Sequence, residues 1–218
     1  MGTGKKRIDN MMRSVMEFVR EHHKDDIEKA YTFFWDEDDP TEFLRGTALQ
    51  LGFTNFEDWL VIDYKAKKNN ETFLDIFRKC TDTLTDDDLS IIEQIKESVL
   101  SLYEVISVSK DKKMRVRDLL LGEEHDLRDK ILSKGLKKGD IFAARLLLID
   151  GSQVMSGSVY PFSARFKKKV LELFDRQFER YRKNVDPDGT MKAFLKNYGD
   201  LFNIIWVKCI VESSHGKA

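Results

Sequence analysis

Nine nearly unbroken apolar residues, Ile141 to Ile149 (IFAARLLLI), stand between the turn formers Gly139-Asp140 and Asp150-Gly151. The run is shorter than a core helix and bounded by glycine at both ends, so it reads as a strand. Ile141, Ala143, Leu147 and Ile149 would face one side, and Phe142, Ala144, Leu146 and Leu148 the other. A strand apolar on both faces has to be covered on both. Asp150-Gly151 is a two-residue hairpin signal leading into QVMSGSVYPF. Upstream, LYEVISVS from Leu102 alternates and is rich in β-branched residues. After the polar turn KDKK, MRVRDLL puts Met114 and Val116 on one face and Arg115 and Arg117 on the other. About five short strands at this spacing predict a small antiparallel barrel.

Helical periodicity flanks this region. Met11, Val15, Phe18 and Val19 mark one helix; Ile27, Ala30, Tyr31, Phe34 and Trp35 mark a second. Pro40 suits the first turn of a third, which Gly52 would end, with Asn55 capping the next. KKNN is a turn, and Thr85 with Asp88 three residues on resembles a capping box. Beyond Pro161, Phe166, Val170, Phe174, Phe178 and Tyr181 line a helix whose other face is basic, DPDG is a turn, and Phe194, Phe202 and Trp206 stripe a final helix. The fold class is therefore α+β: a helical region over 1–100, a small five-stranded β-barrel over 101–163 and a C-terminal helical hairpin over 164–218, packed back or paired with another copy.

With 41% hydrophobic and 34% charged residues the chain can build a core. No apolar run reaches membrane-spanning length, and the start lacks a signal-peptide core. Cys80 and Cys209 sit far apart in apolar stretches, which suits reduced core thiols and a cytoplasmic location. The net charge of −1 hides a polarity: residues 1–100 hold 14 Lys+Arg against 22 Asp+Glu, net −8, and the remainder 23 against 16, net +7. That pattern suits nucleic-acid binding by one half or charge attraction within the fold.

The Trp59-Leu60 to Asp63 helix, LYEV at Leu102, VRDLLLGEE at Val116, KKGDIFAAR at Lys137 and Ser156-Gly157, read as a turn, together resemble bacterial proteins of unassigned function that often end in an SEC-C zinc motif. The likeness covers roughly residues 56–162. It implies the helix-then-barrel order. No Cys-x-Cys cluster follows the barrel here, so the zinc is not carried over.

Motifs for chemistry are weak. Gly2-Thr3-Gly4-Lys5 lacks the strand and spacing of a phosphate loop and reads as a disordered lead. The acidic clusters Asp36 to Asp39 and Asp86 to Asp88 suit helix N-termini better than metal ions. His22, His23, His125 and His215 stand at no zinc spacing. No catalytic residue, cofactor or metal is expected. Arg145 interrupts the apolar strand and needs a carboxylate such as Asp63 or Asp118, or water. A protein partner or second copy would meet the aromatic faces of the terminal helices, Phe174 and Trp206 among them, or the basic helix. A nucleic acid or ribosome would meet Lys167, Lys168, Lys169, Arg176, Arg115, Arg117, Lys137 and Lys138, with Lys112 and Lys113 beside them and Tyr103 or Phe142 stacking on bases.

Overall fold

The computed structural model describes residues 3–66, 70–109, 113–128 and 135–215. Most of KKNN and KDKK, Lys112 included, lies outside them. The chain divides into two compact units. The first comprises Met1–Ser98, Leu147–Gly151 and Met155–Ser158; the second comprises Val99–Leu146, Ser152–Val154 and Val159–Ala218. Among the described residues no helix is long and apolar enough to cross a membrane.

The first unit holds α1 (Thr3–His22), α2 (Lys24–Phe34), α3 (Pro40–Phe43), α4 (Gly46–Ile62), the ribbon β1 (Lys65–Ala66) and β2 (Glu71–Thr72), α5 (Phe73–Cys80) and α6 (Asp86–Glu97). Helix α1 lies against α2, α4, α5 and α6 and buries Ile8, Met11, Val15, Met16 and Val19. It begins earlier than the sequence suggests. The stretch from Thr3 is its first turn, not a disordered lead, because buried Ile8 anchors it and Lys5 bonds Asp9 one turn on at 2.8 Å.

Helix α4 corrects a second expectation. It runs unbroken through Gly52 and Asn55, so neither residue marks a boundary. A Cβ at Gly52 would stand 2.9 Å from Trp35 Cη2 and 3.1 Å from Leu44 Cδ1; the glycine makes room for an indole. The Thr85 box does form. Its hydroxyl accepts from the Asp88 amide at 3.2 Å and Asp88 Oδ2 accepts from the Thr85 amide at 3.0 Å. Hydrogen bonds from the Thr85 side chain and backbone hold the Asp88 carboxyl below its ordinary value. A lowered folded-state pKa stabilises above the unfolded value, and that contribution is lost as pH falls through the folded one. Thr85→Ala is expected to cost about 1 kcal/mol, read as a lower urea midpoint at unchanged slope.

The second unit contains most of the barrel: β3 (Leu100–Val108), β4 (Lys113–Asp118), β5 (Glu124–Arg128), β6 (Ile141–Ile149) and β7 (Ser152–Phe162). The strands close in the order β3-β4-β5-β7-β6. Strands β3 to β5 form a meander and β6 returns to lie beside β3, a Greek key. The closing pair β5–β7, at Leu127 opposite Gln153, is parallel, so the barrel is mixed and not wholly antiparallel. Directions cannot alternate all the way around a ring of five, so at least one neighbouring pair must run the same way. The β6–β7 turn places Asp150 at φ 50° and Gly151 at φ 70°, both left-handed as a type I′ hairpin requires. Ser156-Gly157 is not a turn but an interior stretch of β7.

The C-terminal helices pack back. A 3-10 turn at Ala164–Phe166 leads into α7 (Lys167–Asn184), followed by α8 (Met191–Asn197) and α9 (Leu201–His215). Phe174 meets Phe202 at 4.5 Å between ring centroids, and Phe194 lies 5.6 Å from both Phe178 and Tyr181. Trp206 packs edge-on against Tyr160 and donates Nε1–H to the Pro161 carbonyl at 2.9 Å. The aromatic stripes of these helices are thus core.

Candidate functional site

The barrel interior comes first, because two residues expected to meet bases lie in it. Tyr103 faces Phe142 across β3–β6 and Asp118 across β3–β4, and both rings are buried. Burial pushes the Tyr103 hydroxyl far above its ordinary pKa, and the Asp118 carboxylate raises it further. Neither ring can stack on a base. Among the described residues, the one large apolar side chain counted as exposed in the second unit is Val185.

Asp118 is buried and closes a turn. Its Oδ1 accepts from Ser101 Oγ at 2.7 Å and from the amides of Leu120 and Leu121 at 2.9 and 2.8 Å. Turn amides two and three residues ahead are natural partners of an aspartate. Arg145 is fully buried, opposite Leu100 in the β3–β6 ladder.

The outer face of β4 carries Arg115 and Arg117, and both turn to Glu124 on β5, at 3.0 and 2.9 Å. The hydrogen bond from Arg117, with Arg115 beside it, holds the Glu124 carboxyl below its ordinary value. One carboxylate thereby engages two cations expected to meet phosphate. Lys137 and Lys138 are exposed in the turn before β6, where the Lys137 amide donates to Asp140 Oδ2 at 2.8 Å.

Helix α7 gathers the rest. Lys167 is half-buried and bonds Glu104 on β3 at 2.7 Å, so it tethers the helix to the barrel. Lys169 pairs with Glu212 on α9, while Lys168 stands in solvent 3.8 Å from Glu172. Arg176 is exposed and donates Nε–H to the Glu172 carbonyl at 3.3 Å. Helical spacing sorts the outer residues into two flanks. Lys169, Arg176, Arg180 and Lys183 follow one another by seven, four and three positions along one flank, about 21 Å long. Lys168, Glu172, Asp175, Glu179 and Arg182 occupy the other and include three carboxylates. Among the described residues Arg180 and Lys183 have no ion-pair partner.

Two depressions adjoin the start of α7. One of about 400 Å³ is lined by Ala164, Arg165, Lys167, Lys168, Leu171, Glu172 and Asp175. The other, about 200 Å³, lies between Phe162, Phe166 and the Cys209–Ser214 end of α9. Burial raises the pKa of Cys209 beside it, as expected for an unreactive core thiol. Among the described residues no group of three or more His, Cys, Asp or Glu could hold a metal ion.

Sequence reading missed three exposed positions: Leu148, expected to be covered, is 51% exposed near the turn end of β6; Cys80, expected in the core, is exposed at the end of α5; and the third is Phe33. Phe33 falls off the apolar stripe of α2, is 61% exposed, and lies flat on Trp59 at 5.9 Å with 10° between the rings. Its place outside the Tyr31–Phe34 spacing was the available signal.

No curated protein and no solved structure matches the chain. Residues 53–200, more than half of its length, match the model described as "Family of unknown function (DUF7986)", and the chain belongs to that family.

Proposed function

We propose that the chain is a non-enzymatic cytoplasmic interaction protein whose contact surface is the outer face of α7 and whose partner is a protein. The segregation of charge on that face carries the reading. A phosphate backbone following the cationic flank would run beside Glu172, Asp175 and Glu179, whereas a protein surface can present both signs in register. The buried aromatic faces of α8 and α9 leave this helix as the contact surface of the second unit. The resemblance to proteins that often end in SEC-C motifs supports the helix-then-barrel order and adds no activity.

Nucleic-acid or ribosome binding is the second reading. Its support is the Greek-key barrel, an architecture that includes oligonucleotide- and oligosaccharide-binding domains, joined to the cations of α7. Fold analogy alone assigns no function. Among the described residues the aromatic rings of the barrel strands are buried or half-buried, which argues against base stacking.

One comparison separates the two. Wild type and R176E/R180E/K183E are tested for single-stranded RNA and DNA by fluorescence anisotropy at low and near-physiological salt. Both are also used for affinity capture with identification of what is retained. The expected result is no salt-dependent nucleic-acid binding, and a protein whose recovery falls at least about tenfold in the variant while its melting temperature holds. Binding of RNA with a log–log salt slope near about −2, lost in the variant, would replace the protein reading with the nucleic-acid one.

A further inference from the structure

We propose that the partner at the start of α7 is a second copy of this chain, which seats Phe33 and the acidic turn after α2 in the depression beside Arg165 and Lys168. The proposal rests on the reading of α7 as a protein-binding face and names its occupant.

The observations on the donor side concern one continuous stretch. Phe33 is held in water on the flat face of Trp59. The Asp36 amide bonds the Phe33 carbonyl at 3.2 Å and the Glu37 amide bonds the Thr32 carbonyl at 2.9 Å. These bonds fix three exposed carboxylates, Asp36, Glu37 and Asp38, close to the exposed ring. An aromatic ring rimmed by charge has the form of an interface anchor.

The acceptor side has the complementary chemistry. Ala164 and Leu171 give the 400 Å³ depression an apolar component, and exposed Arg165 and Lys168 supply the cations. Glu172 and Asp175 also line it, so specificity needs an occupant that brings its acids to the Arg165 and Lys168 end. Charge favours a copy of the same chain. The half that carries Phe33 is net −8 and the half that carries α7 is net +7, while the whole is −1, so two copies attract through these surfaces with little overall repulsion. Each contact joins two different patches, the acidic turn of one copy and the depression of another.

The test is sedimentation equilibrium of the full chain across a concentration series at low and near-physiological salt. Wild type is expected to show mass increasing with concentration, and more so at low salt, where the screening length grows from about 8 to about 30 Å. F33A should weaken association at least about tenfold with an unchanged melt. E37K/D38K alone and R165E/K168E alone should stay monomeric. Mixed together they should associate again, because the intact turn of one meets the intact depression of the other and the two reversed surfaces also match. A wild type that is monomeric under every condition, or variants that associate as wild type does, overturns the proposal. If wild type is monomeric yet captures a different protein through Arg176, Arg180 and Lys183, the second-copy inference fails and the interaction reading stands.

Discussion

Trp206→Ala is expected to destabilise the protein by about 3–5 kcal/mol, the largest effect of any single truncation considered. Trp206 is 1% exposed and is the largest of the fully buried side chains. Its removal leaves a cavity against Tyr160 and strips the Pro161 carbonyl of its indole donor. At this chain length the melting temperature should fall by roughly 10 °C. Trp206→Phe separates the two contributions, because it keeps most of the ring and loses the donor. It should cost about 1–2 kcal/mol. Thermal and urea melts of both variants provide the check. A wild-type melt for Trp206→Ala would mean that α9 does not pack on β7. Helix α9 begins at Leu201, just past the stretch shared with the family, yet it supplies this anchor.

Asp118→Ala should come next, at about 3 kcal/mol. The substitution leaves the Ser101 hydroxyl and the amides of Leu120 and Leu121 without their acceptor in partly or fully buried positions. Asp118→Asn keeps one side-chain oxygen and should recover most of the loss. Equal damage from Asn and Ala would show that the negative charge matters here, and not the acceptor geometry.

The order of elements was legible because hydrophobic period and turn chemistry are local. Eight apolar residues and Arg145 between glycine turns gave β6, and Asp150-Gly151 gave its hairpin. The parallel closure was not legible as a local feature, since Leu127 and Gln153 meet only when the ring forms. Gly52 misled for a related reason. Its purpose is the approach of Trp35, a tertiary fact, while its local signature is that of a helix stop. The basic residues were found by composition, but sequence alone could not say which were engaged. Glu104, Glu124 and Glu212 had to be placed before Lys167, Arg115, Arg117 and Lys169 could be discounted. Asp118 illustrates the reverse case: the VRDLLLGEE segment that carried a resemblance is recognisable because it encodes a turn.

The division of the chain also constrains its synthesis. The first unit takes in Leu147–Gly151 and Met155–Ser158 as well as the opening 98 residues. A ribosome delivers those segments only after the strands β3 to β5 have emerged. The N-terminal helices can form as they appear, but their unit is incomplete until residue 158 leaves the exit tunnel. A fragment cut at Ser98 would lack part of its own fold, so the two units are interleaved along the chain and cannot be separated by a single cut there.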